Sequence, residues 1–143
     1  MTLSSGSAAQ KSAALKQKFG AKHYEKVTDL RITEATASQM RDDHLKTDYS
    51  LLQAIYPKFD TFPDAAKLAL FDMIYNLGPG QGKTRHHRAS GLRAYVGMNA
   101  AIARGDWAAA AQHCHRHGIP DARNSQTAAL FKSCVAASAR SAR

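Results

Sequence analysis

At 143 residues the chain has the length of one domain, and it is strongly basic, with 20 Lys and Arg against 11 Asp and Glu and a net charge of +9. A chain of this size buries about two-thirds of its unfolded surface, enough for a real core, and its alanine-rich, β-branched-poor composition favours helix. No apolar run approaches the roughly 20 residues of a membrane span, because Asp72 and Asn76 interrupt the longest one. The charge fits a polyanionic partner, whether cell-wall polymer, lipid or nucleic acid, and equally a merely solvated surface.

Residues 1–10, rich in Ser, Gly and Ala, read as a frayed leader with no apolar segment of the signal-peptide kind through residue 19. Ala14, Leu15 and Phe19 suit a short helix that Gly20 ends. Thr33 is a plausible N-cap, and Glu34 in the first turn suits the helix dipole. The helix that follows is expected to reach about Tyr56. Ala37, Met40, His44, Leu45, Leu51, Leu52 and Ile55 trace a broken apolar stripe along it, and Pro57 stops it. Pro63 opens a second helix to Leu77, so apolar all round that it is expected to lie buried at the centre of the domain. Gly78 supplies a left-handed C-cap and Pro79 cannot continue the helix.

Residues 78–90 form a basic loop, expected to be mobile. Leu92, Tyr95, Val96, Met98 and Ile102 predict a helix ending at Gly105. Asp106 caps the next, from Trp107 to about His117, and Gly118 and Pro120 turn the chain into a last helix near Arg123 or Asn124, carrying Leu130, Phe131 and Val135. No strand pattern and no internal repeat occur. The expected fold is all-α, a single compact bundle of about five or six helices around a buried central helix. The expected division is a leader and short helix over 1–19, a helical lobe over 20–138 and a basic tail over 139–143.

Four motifs in order resemble one family. They are the lead-in Tyr56-Pro57 and Phe59-Asp60-Thr61-Phe62-Pro63, the central Leu68-Ala-Leu-Phe-Asp-Met-Ile-Tyr-Asn-Leu-Gly78, the segment Gly105-Asp106-Trp107 before Ala108–Ala111, and Arg123-Asn124 with Thr127 and Phe131. Tyr24 with Thr28-Asp29-Leu30 fits the segment that precedes them. Over roughly residues 20–135 the chain resembles the C-terminal helical lobe of phage-type lysozymes, closest to their pesticin-like, toxin-associated branch. In that family a short N-terminal lobe carries the chemistry, on a Glu at the end of the first helix and a Gly-rich β-hairpin. Neither is found in this sequence, whose two glutamates are Glu25 and Glu34. The resemblance therefore predicts a lobe whose catalytic half lies outside the chain.

By the same resemblance, Tyr75 and Asn76 line the floor of a glycan cleft, Tyr75 packing on a sugar ring and Asn76 bonding an N-acetyl group. Arg123, with Asn124, faces the catalytic Glu across it. The plainer readings are that Asn76 caps its own helix and that Asn124 is an N-cap beside a surface Arg. Asp72, a carboxylate on an apolar helix, is expected to pair with an Arg or a backbone N–H group. Glu25 and Asp29 are weak catalytic candidates. Four residues apart, they would share a face if the segment is helical, but Lys22, His23 and Lys26 would lower rather than raise the pKa of Glu25, the reverse of what a glycosidase acid needs. His113 and His117 would share a helical face, with His115 pointing elsewhere and Arg116 adding repulsion, so metal binding is not expected, and His86-His87 in the loop does not alter that. Cys114 and Cys134 read as small buried side chains, a disulfide between them being geometrically possible.

The expected function is half of the glycan groove of a muramidase that hydrolyses the β-1,4 bonds between N-acetylmuramic acid and N-acetylglucosamine in bacterial peptidoglycan. The lobe alone is expected to be inactive. The resemblance implies no metal and no organic cofactor. It implies antibacterial action in the periplasm or cell wall of a target bacterium, and an immunity protein as a partner. The rival expectations are a non-enzymatic peptidoglycan-binding or protein-interaction module, and a basic helical nucleic-acid binder. The last is disfavoured because no helix shows a recognition stripe.

Overall fold

A computed structural model describes residues 33–141, with side chains through Val135. The expected helix before Gly20, the candidates Glu25 and Asp29, and the Tyr24 segment lie outside the described residues. Five α-helices occur in the described chain: α1 (Glu34–Ile55), α2 (Asp64–Leu77), α3 (Val96–Ala103), α4 (Trp107–Gln112) and α5 (Asp121–Ser141). Two 3₁₀ turns, Phe59–Thr61 and Gly91–Ala94, complete them, and the described residues contain no strand. The fold is all-α. Residues from Asp42 onward form one compact unit, and the described residues up to Arg41 belong to another.

Local chemistry sets most boundaries. The Thr33 hydroxyl accepts the Thr36 N–H at 3.1 Å, capping α1, and the Asp106 carboxylate accepts the Ala109 N–H at 2.9 Å, capping α4. Gly78, at φ +66°, turns the chain out of α2 while its N–H bonds the Ile74 carbonyl at 2.7 Å. The loop after it is pinned at its base. Ser90 N–H reaches Gln81 O and Leu92 N–H reaches Gly78 O, each at 3.0 Å. There a Cβ on Gly80, itself at φ +65°, would lie 1.8 Å from the Ser90 carbonyl, so only glycine fits.

The core gathers around one face of α2. Ala66, Ala69, Leu70, Met73 and Ile74 are buried, packed with Leu52, Phe59, Leu92, Met98, Ile102 and Phe131. Trp107 stacks on Phe131 with ring centroids 6.3 Å apart and meets Phe62 edge-on at 5.3 Å, joining α4 and α5 to the lead-in turn.

Five expectations are corrected. Central helix α2 is not buried all round: Leu68 and Tyr75, seven positions apart on one stripe, are exposed. On α1 only the last turns carry the apolar stripe inward, because the charged run Arg41-Asp42-Asp43 breaks it, and Met40 and Leu45 are exposed. The helix expected from Leu92 is divided at Tyr95, whose ψ of +60° is not helical, and Val96 beyond it is exposed. Helix α4 stops at Gln112, five residues before His117, and α5 starts at Asp121, earlier than the expected Arg123 or Asn124.

Ile74→Ala should therefore destabilise the fold by about 2–5 kcal/mol, the usual cost of emptying a fully packed site. Urea unfolding measures it, and a change below about 0.5 kcal/mol would place Ile74 outside the core.

Candidate functional site

Three of the four expected site residues, Asn76, Arg123 and Asn124, meet around Asp72. In the middle of α2 its carboxylate faces α5 and the turn between α4 and α5. Arg116, in that turn, is fully buried. A buried guanidinium is tolerable only if its donors are satisfied, and here they are. Nη1 reaches Asp72 Oδ2 at 2.7 Å and the Asp72 carbonyl at 3.3 Å, Nη2 reaches the Thr127 hydroxyl at 2.7 Å, and Nε reaches Asn124 Oδ1 at 3.3 Å. Asn124 accepts the Arg116 backbone N–H at 3.1 Å and donates to the carbonyls of Arg116 and Ile119. The Thr127 hydroxyl lies 3.0 Å from both Asp72 Oδ2 and the Arg123 carbonyl.

Arg123 closes the arrangement from outside. Its Nε and Nη2 donate to Asp72 Oδ1 at 2.8 and 2.6 Å, and its side chain is 43% exposed. Burial pushes the Asp72 carboxyl up, but the bonds from Arg123, Arg116 and Thr127 outweigh it and hold the group below the usual carboxylate range. One carboxylate thus serves two guanidinium groups, and a positive charge is left over at the half-exposed one.

Asn76 and Arg123 both converge on Asp72. Asn76 Nδ2 donates to the Asp72 carbonyl one turn back at 2.5 Å, while Arg123 holds the carboxylate. The Tyr75 ring stands exposed one position away, edge-on to His44 with centroids 5.2 Å apart. Behind His44 the carboxylate of Asp48 is buried, with Oδ2 at 3.3 Å from His44 Nε2 and no hydrogen-bond partner among the described residues. Asn124 is buried inside the Arg116 network rather than capping α5, whose start instead uses the Pro120 carbonyl, bonded by the N–H groups of Arg123 and Asn124.

Asp72 is paired with Arg, as its cost on an apolar helix requires. The sequence did not show Arg116 as the buried partner, since it lies in a His-rich run that reads as helix surface. With α4 ending at Gln112, His113 and His117 do not share a helical turn, and no group of three His, Cys, Asp or Glu residues that could hold a metal occurs among the described residues. Cys114 and Cys134 are buried free thiols. One hollow borders the network and a larger one lies apart from it. Asn124 and Cys114 line the smaller, and Gly82 of the basic loop borders the larger; Tyr75, Asn76 and Arg123 line neither.

No family model, no curated protein and no solved structure matches the chain.

The depressed Asp72 pKa gives a sign. A carboxylate held low in the fold stabilises it above its unfolded pKa, about 3.9, and that contribution is lost as pH falls through the folded value. The stability gap between the wild type and Asp72→Asn should narrow as pH drops below about 4. Urea midpoints over an acid pH series measure it, and a gap constant with pH would contradict the pairing.

Proposed function

We propose that this chain is the C-terminal lobe of a peptidoglycan-degrading muramidase and forms half of a glycan groove. The observation that carries the reading is the charge imbalance at Asp72. The resemblance sets Arg123 opposite a catalytic Glu on another lobe. Arg123 belongs to a group with two guanidinium charges and one carboxylate, and is the more exposed of the two. A facing carboxylate would neutralise the excess charge. The exposed Tyr75 ring beside the half-buried Asn76 amide is a suitable surface for a neutral, hydroxyl-rich sugar, offering an apolar face and a polar group together. On this reading the protein acts on the cell wall of a target bacterium, with an immunity protein as antagonist, and turnover requires the second lobe.

A second reading has one observation of its own. Asp72 already holds Arg123, so this wall of the groove is assembled from the chain's own residues. That favours a lobe kept for binding peptidoglycan without hydrolysis.

Titration with soluble peptidoglycan fragments tests both. Tyr75→Ala and Arg123→Ala should each weaken binding. Arg123→Ala should lower stability by no more than about 1 kcal/mol, since its ion pair is solvent-screened. Fragments that bind both variants as tightly as the wild type would remove the groove from this surface. The chain alone should not clear a peptidoglycan suspension faster than buffer, and clearing that disappears in Glu25→Gln would make Glu25 a catalytic acid and overturn the inactive-lobe reading.

A further inference from the structure

The larger hollow, of about 460 Å³, lies on another part of the surface and is independent of the glycan reading. Ile55, Pro57, Phe62 and Ile102 give it apolar walls, and Gly82 at the base of the basic loop borders it. Its size is that of a small-molecule site.

The polar groups within it divide into two kinds. Tyr56 and Asn99 are spent on each other: the Tyr56 hydroxyl donates to Asn99 Oδ1 at 2.5 Å, and Asn99 Nδ2 donates to the Leu92 carbonyl at 3.1 Å. Burial pushes the Tyr56 phenol well above its usual range, the Arg93 charge only partly opposing this, so Tyr56 stays a neutral donor. The other two polar side chains are Lys58 and Arg93. Neither forms an ion pair or a side-chain hydrogen bond with a described residue. The loop beyond Gly82 adds exposed Lys83, Arg85 and Arg88. Elsewhere the buried Arg116 is matched by an acid, whereas the two cations at this apolar hollow are matched by none among the described residues.

We infer that this hollow binds a free amphiphile with a single anionic head, the apolar body lying against Ile55, Phe62 and Ile102 and the phosphate or carboxylate head held by Lys58 and Arg93. Charge-assisted bonds to a fixed head would orient the ligand, and apolar burial would supply the rest of the affinity.

Calorimetric titration with octyl phosphate below its micellar concentration tests this. Saturable one-to-one binding is expected. The Lys58→Ala/Arg93→Ala double variant should weaken it by about tenfold or more while leaving the weaker binding of 1-octanol unchanged. Ala103→Trp, at an exposed wall position, should abolish binding of both by filling the hollow, with circular dichroism showing that the fold is kept. Three results would overturn the inference: 1-octanol binding as tightly as octyl phosphate, inorganic phosphate binding as tightly as octyl phosphate, or attachment only to vesicles of anionic phospholipid with no binding of the monomeric amphiphile.

Discussion

A fully buried guanidinium organises this protein. Arg116 can remain inside only because Asp72 supplies a charge and Thr127 and Asn124 supply acceptors. Those partners come from two helices, so satisfying one side chain fixes α5 against α2 and shapes the turn from α4. The packing of Trp107 on Phe131 adds area, but area is non-directional and would tolerate sliding. The hydrogen-bonded network does not, because each bond has a required length and angle.

The candidate surface is a consequence of this arrangement. With Asp72 held by Arg116, its second carboxylate oxygen is presented to Arg123 and its carbonyl to Asn76. Asn76 is thereby held next to Tyr75 in the last turn of α2, and Arg123 is held against the middle of that helix. The loop leaving that helix is pinned in turn by the close approach of Gly80 and Gly91. Its base then borders the apolar hollow. Cation pairing differs sharply between the two regions. Around Asp72 one carboxylate binds both guanidinium groups, which serves architecture, whereas Lys58 and Arg93 are left without acids among the described residues, which suits a ligand.

Much of this was legible in the sequence, and the reasons are local. Thr33, Asp106, Pro63 and Gly78 mark helix ends by their own hydrogen bonds or backbone angles, so the signal needs no distant partner. The all-α class followed from composition and spacing. That Asp72 must be paired, with an Arg or a backbone N–H group, followed from the cost of a carboxylate on an apolar helix; which of these it is, the fold decides. What could not be read depends on contacts between distant segments. Helix α4 ends at Gln112, and four residues on the Arg116 backbone N–H bonds the Asn124 side chain rather than a carbonyl one turn back, a contact between segments that local sequence does not announce. Asn124 looks like an N-cap by type, but its amide is consumed by Arg116 and Ile119. The stripe of Leu68 and Tyr75 is apolar in sequence and exposed in the fold, since periodicity shows a face without showing what covers it. Lys58 and Arg93 are far apart in sequence, and only the fold brings them to one hollow.

If the buried pair governs the fold, Asp72 and Arg116 must be strongly coupled. A double-mutant cycle with Asp72→Leu and Arg116→Met, read by urea unfolding, measures that coupling. Each single change strands or deletes a charge and should cost about 3–5 kcal/mol, while the doubly apolar variant should cost well under the sum. Single costs that add to within about 0.5 kcal/mol would show that the two side chains act independently and would contradict the account.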